Sequence, residues 1–86
     1  MYYVYVLYSK QENKLYKGSC GNLKTRFHQH KNGLVRSTKS IADWELVYYQ
    51  AFVNKTDSIR EEKFLKTGKG RERLKYLLKN TLGGVA

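Results

Sequence analysis

The chain has 86 residues, 41% of them apolar, and carries 17 Lys and Arg against seven Asp and Glu, for a net charge of +10. This length holds a single domain, residues 1–86, and excludes a second one; the lone cysteine, Cys20, excludes an internal disulfide, and no Cys/His cluster has zinc spacing. The charge density selects a polyanionic partner, nucleic acid first, while no apolar stretch reaches the ~20 residues needed to cross a bilayer and no helix joins a wide apolar face to a basic one.

The opening run MYYVYVLYS has no basic leader and no small-residue cleavage site, so it is expected to be a strand of a cytoplasmic protein, not a signal peptide. Residues 2–8 are β-branched or aromatic on both alternating faces, as in a central strand, with Tyr3, Tyr5 and Leu7 on one of them. The polar link SKQENK predicts an antiparallel hairpin into a short second strand, Lys14 to Lys17. The segment from Gly18 to Asn22 then reads as a turn.

Asn22 as N-cap and Gly33 as stop predict a helix over 23–32 with Leu23 and Phe27 as its buried stripe. A basic loop, VRSTKSIAD, leads to a third strand, 44–52. Thr56 or Asn54 caps a second helix near 57–66, which ends at the TGKG turn, and a third helix from Gly70 carries Leu74, Leu77 and Leu78 on one face. The tail, 81–86, is expected to fray. The order ββαβαα predicts an α/β (α+β) domain, a three-stranded antiparallel sheet flanked by helices.

Several side chains stand out chemically. Arg26 flanks the Leu23/Phe27 stripe and His30 lies within it, which puts both beside the core, where a cleft wall would be. The plainer alternative has Arg26 covering the helix edge with its stem and His30 as a satisfied boundary histidine. Glu62 falls between Ile59 and Leu65 on the inward face of its helix, so its carboxylate needs a partner: Arg26, a lysine or a metal ion, or in the simplest case a surface pair with Lys66. Glu61 points about 100° away as a solvated charge. A hairpin can set the phenols of Tyr5 and Tyr16 side by side where the helix bearing Arg26 begins.

Such a set would suit a phosphodiester, with the carboxylate holding a divalent ion, the arginine neutralising a phosphate oxygen and a tyrosine positioning or deprotonating water. The exposed cations Arg36, Lys39, Lys69, Arg71 and Arg73 could track a sugar-phosphate backbone, or be no more than solvated faces. LYKGSCGN lacks the Gly-Lys-Ser/Thr phosphate cradle, and Cys20, His28 and His30 are too loosely spaced for zinc.

Taken together, YVY at 3–5, YKG at 16–18, Arg26 ten residues after Tyr16, His30 on the same helix and REEKFLK at 60–66 resemble the GIY-YIG nuclease domain in its short stand-alone form, over residues 2–79. The resemblance implies an endonuclease that hydrolyses DNA phosphodiester bonds with one divalent ion, Mg2+ or Mn2+, and acts in DNA repair or recombination. It further implies Tyr5 and Tyr16 as paired phenols, Gly18 keeping the turn open, Arg26 on the scissile phosphate, His30 assisting proton transfer and Glu62 on the metal. Tyr3, Val4 and Lys17 depart from the family tripeptides. With no separate recognition domain, selectivity for branched or damaged DNA is expected over selectivity for sequence. The alternatives are a non-catalytic nucleic-acid-binding module on the same fold and an adaptor whose protein partner brings the activity.

Overall fold

A computed structural model describes residues 1–83. It contains β1 (Tyr2–Ser9), β2 (Lys14–Cys20), α1 (Leu23–Lys31), β3 (Glu45–Phe52), α2 (Lys55–Leu65) and α3 (Gly68–Leu77). The three strands form an antiparallel sheet in the order β2-β1-β3, so the most apolar strand lies in the middle. The expected class and element order therefore hold.

The strict alternation of β1 builds two cores. Val4 and Val6 face α2 and α3 and pack with Leu65, Leu74, Leu78 and Leu82. Tyr5 and Leu7 face the other way, with Trp44, Tyr16, Leu23 and Phe27 around them. Ser9, at the end of β1, donates to Asp43 at 2.6 Å; this bond and that from the Gln11 N–H hold the Asp43 carboxyl below its ordinary range while anchoring the hairpin to the approach to β3.

Strand β2 is longer than expected. Gly18, Ser19 and Cys20 read as a turn, yet they pair with Tyr5, Val4 and Tyr3. Gly18 does not open a turn; it makes room for a ring, because a Cβ there would stand 2.5 Å from the Tyr5 hydroxyl oxygen and 2.6 Å from Cζ.

The helices start at side-chain caps. Asn22 accepts from the Thr25 N–H at 3.0 Å, Asn54 from the Thr56 N–H at 2.8 Å, and Thr67 from the Gly70 N–H at 3.2 Å. The third cap starts α3 at Gly68, earlier than expected. Gly70 is buried where α3 leaves α2, and any Cβ on it would collide with the Phe64 carbonyl and the Leu65 Cα.

Two helical readings are corrected. Leu77 is 46% exposed and does not join Leu74 and Leu78 in the core, because the latter two already fill the space under α3. Glu61 is no solvated charge: it accepts from Arg73 at 2.9 Å and ties α2 to α3. Of the tail expected to fray, 84–86 lie outside the described residues, whereas Leu82 is buried and donates its N–H to the Leu78 carbonyl at 2.8 Å.

Candidate active site

Tyr5 and Tyr16 lie diagonally on one face, since Tyr5 pairs with Gly18 and Tyr16 with Leu7; their ring centroids are 6.4 Å apart. Helix α1 brings His30 over both rings, 5.6 Å from that of Tyr5 and 5.1 Å from that of Tyr16. His30 is fully buried, and each of its ring nitrogens has a partner: Nε2 lies 2.8 Å from the Tyr5 hydroxyl and Nδ1 2.7 Å from Thr38 Oγ1.

The direction of these bonds follows from the chain of partners. Burial pushes the Tyr5 hydroxyl well above the usual phenol range, with the neighbouring Tyr16 adding to the effect, so Tyr5 keeps its proton and donates to Nε2. Burial, with help from the Arg26 charge, lowers the His30 pKa, so the ring is neutral and its one proton sits on Nδ1. Thr38 Oγ1 accepts the hydrogen bond from Nδ1–H and donates its own hydroxyl hydrogen bond to the Val35 carbonyl at 3.4 Å. The Thr38 carbonyl in turn accepts from Trp44 Nε1 at 3.1 Å. Among the described residues no buried side-chain polar atom lacks a partner.

The two phenols therefore differ. Tyr5 is 2% exposed and committed to His30, whereas Tyr16 is half-buried and its hydroxyl is met by Ser37 at 3.4 Å. This contact brings the loop bearing exposed Arg36 and Lys39 beside Tyr16. Arg26, half-buried on α1, has only a 3.5 Å contact with Gln29; its charge acts on Tyr5, Cys20 and His30. Among the described residues no carboxylate pairs with this guanidinium.

Glu62 approaches from the other side of β2. Its Oε1 accepts from Ser19 at 2.7 Å and its Oε2 from Lys66 at 2.7 Å. Burial works to raise its pKa, but the bonds from Lys66 and Ser19 prevail and hold it below the ordinary carboxylate range, so it is ionised at neutral pH. Ser19 follows Gly18 directly, which puts Glu62 near enough for its charge to act on the Tyr5 phenol. Tyr5, Tyr16 and His30 are in mutual contact; Glu62 pairs with Lys66 across the strand from them.

The donor set around Glu62 suits one kind of ion. Among the described residues no three His, Cys, Asp or Glu side chains cluster, which leaves a single ionised carboxylate. A small hard cation that keeps most of its water and shares a phosphate oxygen needs no more than one or two. Lys66 shows that the carboxylate already attracts a positive charge.

Lys69, Arg71 and Arg73 project from α3 and not from the phenol side. Arg73 is held by Glu61, and Arg71 donates to the Lys66 carbonyl at 2.8 Å. A groove of about 600 Å³ between α1 and β3, lined by Tyr3, Leu23, Phe27 and Tyr49, contains none of the catalytic candidates. Thr38 and Ser19, which orient His30 and Glu62, were not singled out in the sequence; each is a short hydroxyl residue in a polar stretch, and only the fold reveals its partner.

The chain is similar to known proteins over most of its length. Residues 1–76 match the family described as the GIY-YIG catalytic domain. A UPF0213 protein of Limosilactobacillus reuteri is 34% identical over 90% of this chain and 82% of its own length. One of Pediococcus acidilactici is 34% identical over 92% and 83%, and one of Clostridium perfringens 37% over 77% and 71%. These names state no activity. No solved structure matches the chain at a significant level.

Proposed function

The chain belongs to the GIY-YIG family, and we propose that it is a divalent-metal-dependent endonuclease that hydrolyses DNA phosphodiester bonds and selects its substrate by structure, branched or damaged, more than by sequence. The observation that carries this reading is the asymmetry of the phenols: one buried and proton-locked against His30, the other half-buried with its hydroxyl met by Ser37, on a site where Arg26 has no carboxylate partner among the described residues.

Glu62 would hold the ion, one Mg2+ or Mn2+, which when bound would supply charge stabilisation at a phosphate oxygen and a more acidic water. Arg26 binds the scissile phosphate and offsets the charge that builds on its oxygens as water attacks phosphorus. Tyr16 orients that water and exchanges its proton, since its hydroxyl is the accessible one. Tyr5 cannot easily give up a proton; it holds His30 in place, and His30 packs against Tyr16. Arg36 and Lys39 guide the strand beside Tyr16, while Lys69, Arg71 and Arg73 contact backbone further away. A cytoplasmic location fits a lone thiol, and no helix among the described residues is long and apolar enough to cross a membrane.

One observation favours a second reading, a DNA-binding module without turnover: Lys66 already occupies the Glu62 carboxylate. Both readings are tested by incubating purified protein with supercoiled and branched DNA and magnesium. Nicking that disappears in Arg26→Ala and Glu62→Ala, with unfolding temperatures unchanged, supports the nuclease. Absence of cutting with any divalent ion, alongside salt-sensitive binding, supports the module, and cutting that survives both substitutions refutes the assigned site.

A further inference from the structure

Lys17 has no part in the centre described above. It points away from Tyr16, onto the face of β2 that also carries Leu15 and Ser19, and is only partly exposed. There Lys17, Arg71 and Lys75 surround a cavity of about 290 Å³, completed by Tyr8, Asn13, Leu15 and Leu82. Among the described residues no carboxylate lines this cavity, and neither Lys17 nor Lys75 forms an ion pair. Among the described residues Arg71 spends one N–H, on the Lys66 carbonyl, out of the five its guanidinium offers.

Three cations around a partly apolar floor repel one another, and the fold does not need them. An apolar side chain at position 17 would extend the row begun by Leu15. Burial lowers the Lys17 pKa, and the charges of Arg71 and Lys66 lower it further. A bound anion would remove that conflict. The cavity also lies close to the carboxylate: Ser19, which bonds Glu62, is two residues along the same strand face from Lys17, about 7 Å at the usual strand rise.

We propose that this cavity is a second phosphate-binding site, which receives a backbone phosphate of the bound nucleic acid on the sheet face opposite the phenols. The inference rests on the reading of the protein as one that acts on nucleic acid. Because β2 is an outer strand of the sheet, a polymer that meets both faces passes around its free edge, in contact with Arg26 on one side and with Lys17 on the other.

The test is binding of a short fluorescent DNA duplex over a range of salt concentrations, with chelator present so that cutting plays no part. The double variant Lys17→Gln, Lys75→Gln is compared with Lys10→Gln, Lys79→Gln, which removes the same charge elsewhere. Loss of one phosphate contact lowers the slope of log affinity against log salt by about 0.9, and an affinity loss of about tenfold at low salt is expected for the first pair alone. Thermal unfolding verifies the fold, and Lys75→Gln alone, at an exposed position, serves should the pair fail to fold. Indistinguishable behaviour of the two pairs overturns the proposal. So does a cavity that only responds to inorganic phosphate, seen as stabilisation of the parent protein but not of the first pair, with duplex binding unchanged. A parent that binds as expected but never cuts with magnesium sinks the nuclease reading and leaves the cavity standing; a parent that cuts while both pairs bind alike sinks the cavity alone.

Discussion

On one face of β1, Val4 and Val6 meet Leu65, Leu74, Leu78 and Leu82; on the other, Tyr5 meets His30, with Thr38 behind it and Tyr16 beside it. The first face is aliphatic, and any set of side chains with the right volume would serve there. The second buries a phenol, an imidazole and a hydroxyl, groups that cost free energy unless each one finds a partner. Each does, but the arrangement is more demanding than a hydrocarbon core of the same size. On the proposed reading, a small domain with little apolar surface to spare keeps it for chemistry.

The largest expected effect separates function from fold on the polar face. Tyr16→Phe should lower the cleavage rate by about 10²–10⁴, the usual contribution of a positioned proton-transfer group, and leave the unfolding temperature unchanged. Equal cleavage by the variant and its parent would remove the distinction drawn between the phenols. The aliphatic face should behave in the opposite way: Leu74→Ala should destabilise by about 2–5 kcal/mol in denaturant titration, while the folded fraction cuts at the parental rate.

Gly18→Ala tests the seam between the two. Its methyl would have to displace the Tyr5 ring, so a loss of about 1–3 kcal/mol is expected, together with weakened cleavage as the Tyr5–His30 bond shifts. The smallest effect is in pH. His30 has a depressed pKa when folded, so the unfolded chain binds the extra proton first; stability present at neutral pH should fall as pH drops below about 6.5, the ordinary imidazole value. Tyr5 adds the mirror image, a loss as pH rises past the ordinary phenol value of 10.0, because the folded state retains its proton. Unfolding of His30→Gln should lack the acid arm, and of Tyr5→Phe the alkaline one.

How much of this was legible in the sequence also divides by face. Alternation in β1 and the Asn22 cap located the central strand and α1 to within a residue or so, because both signals are local. The end of β2 was missed because Gly-Ser is turn chemistry, and the reason for Gly18 is a ring on the neighbouring strand. Angles around a helix placed Glu62 inward correctly but not Glu61 or Leu77, whose surroundings depend on how α3 packs on α2. Thr38, between exposed Ser37 and Lys39 in a basic loop, carried no mark of being buried against His30. Chemistry-bearing residue types could be read from the chain, but their partners came from contacts between distant segments.

If the protein is a nuclease, Glu62 on one face of β2 must act as one centre with Tyr16 and Arg26. Crystals grown with manganese and a cleavage-resistant DNA strand would test it most directly. One anomalous peak beside Glu62, with Lys66 displaced and a phosphate between that peak and Arg26, is the expected result. An ion or phosphate bound elsewhere, with the Glu62–Lys66 pair intact, would contradict it.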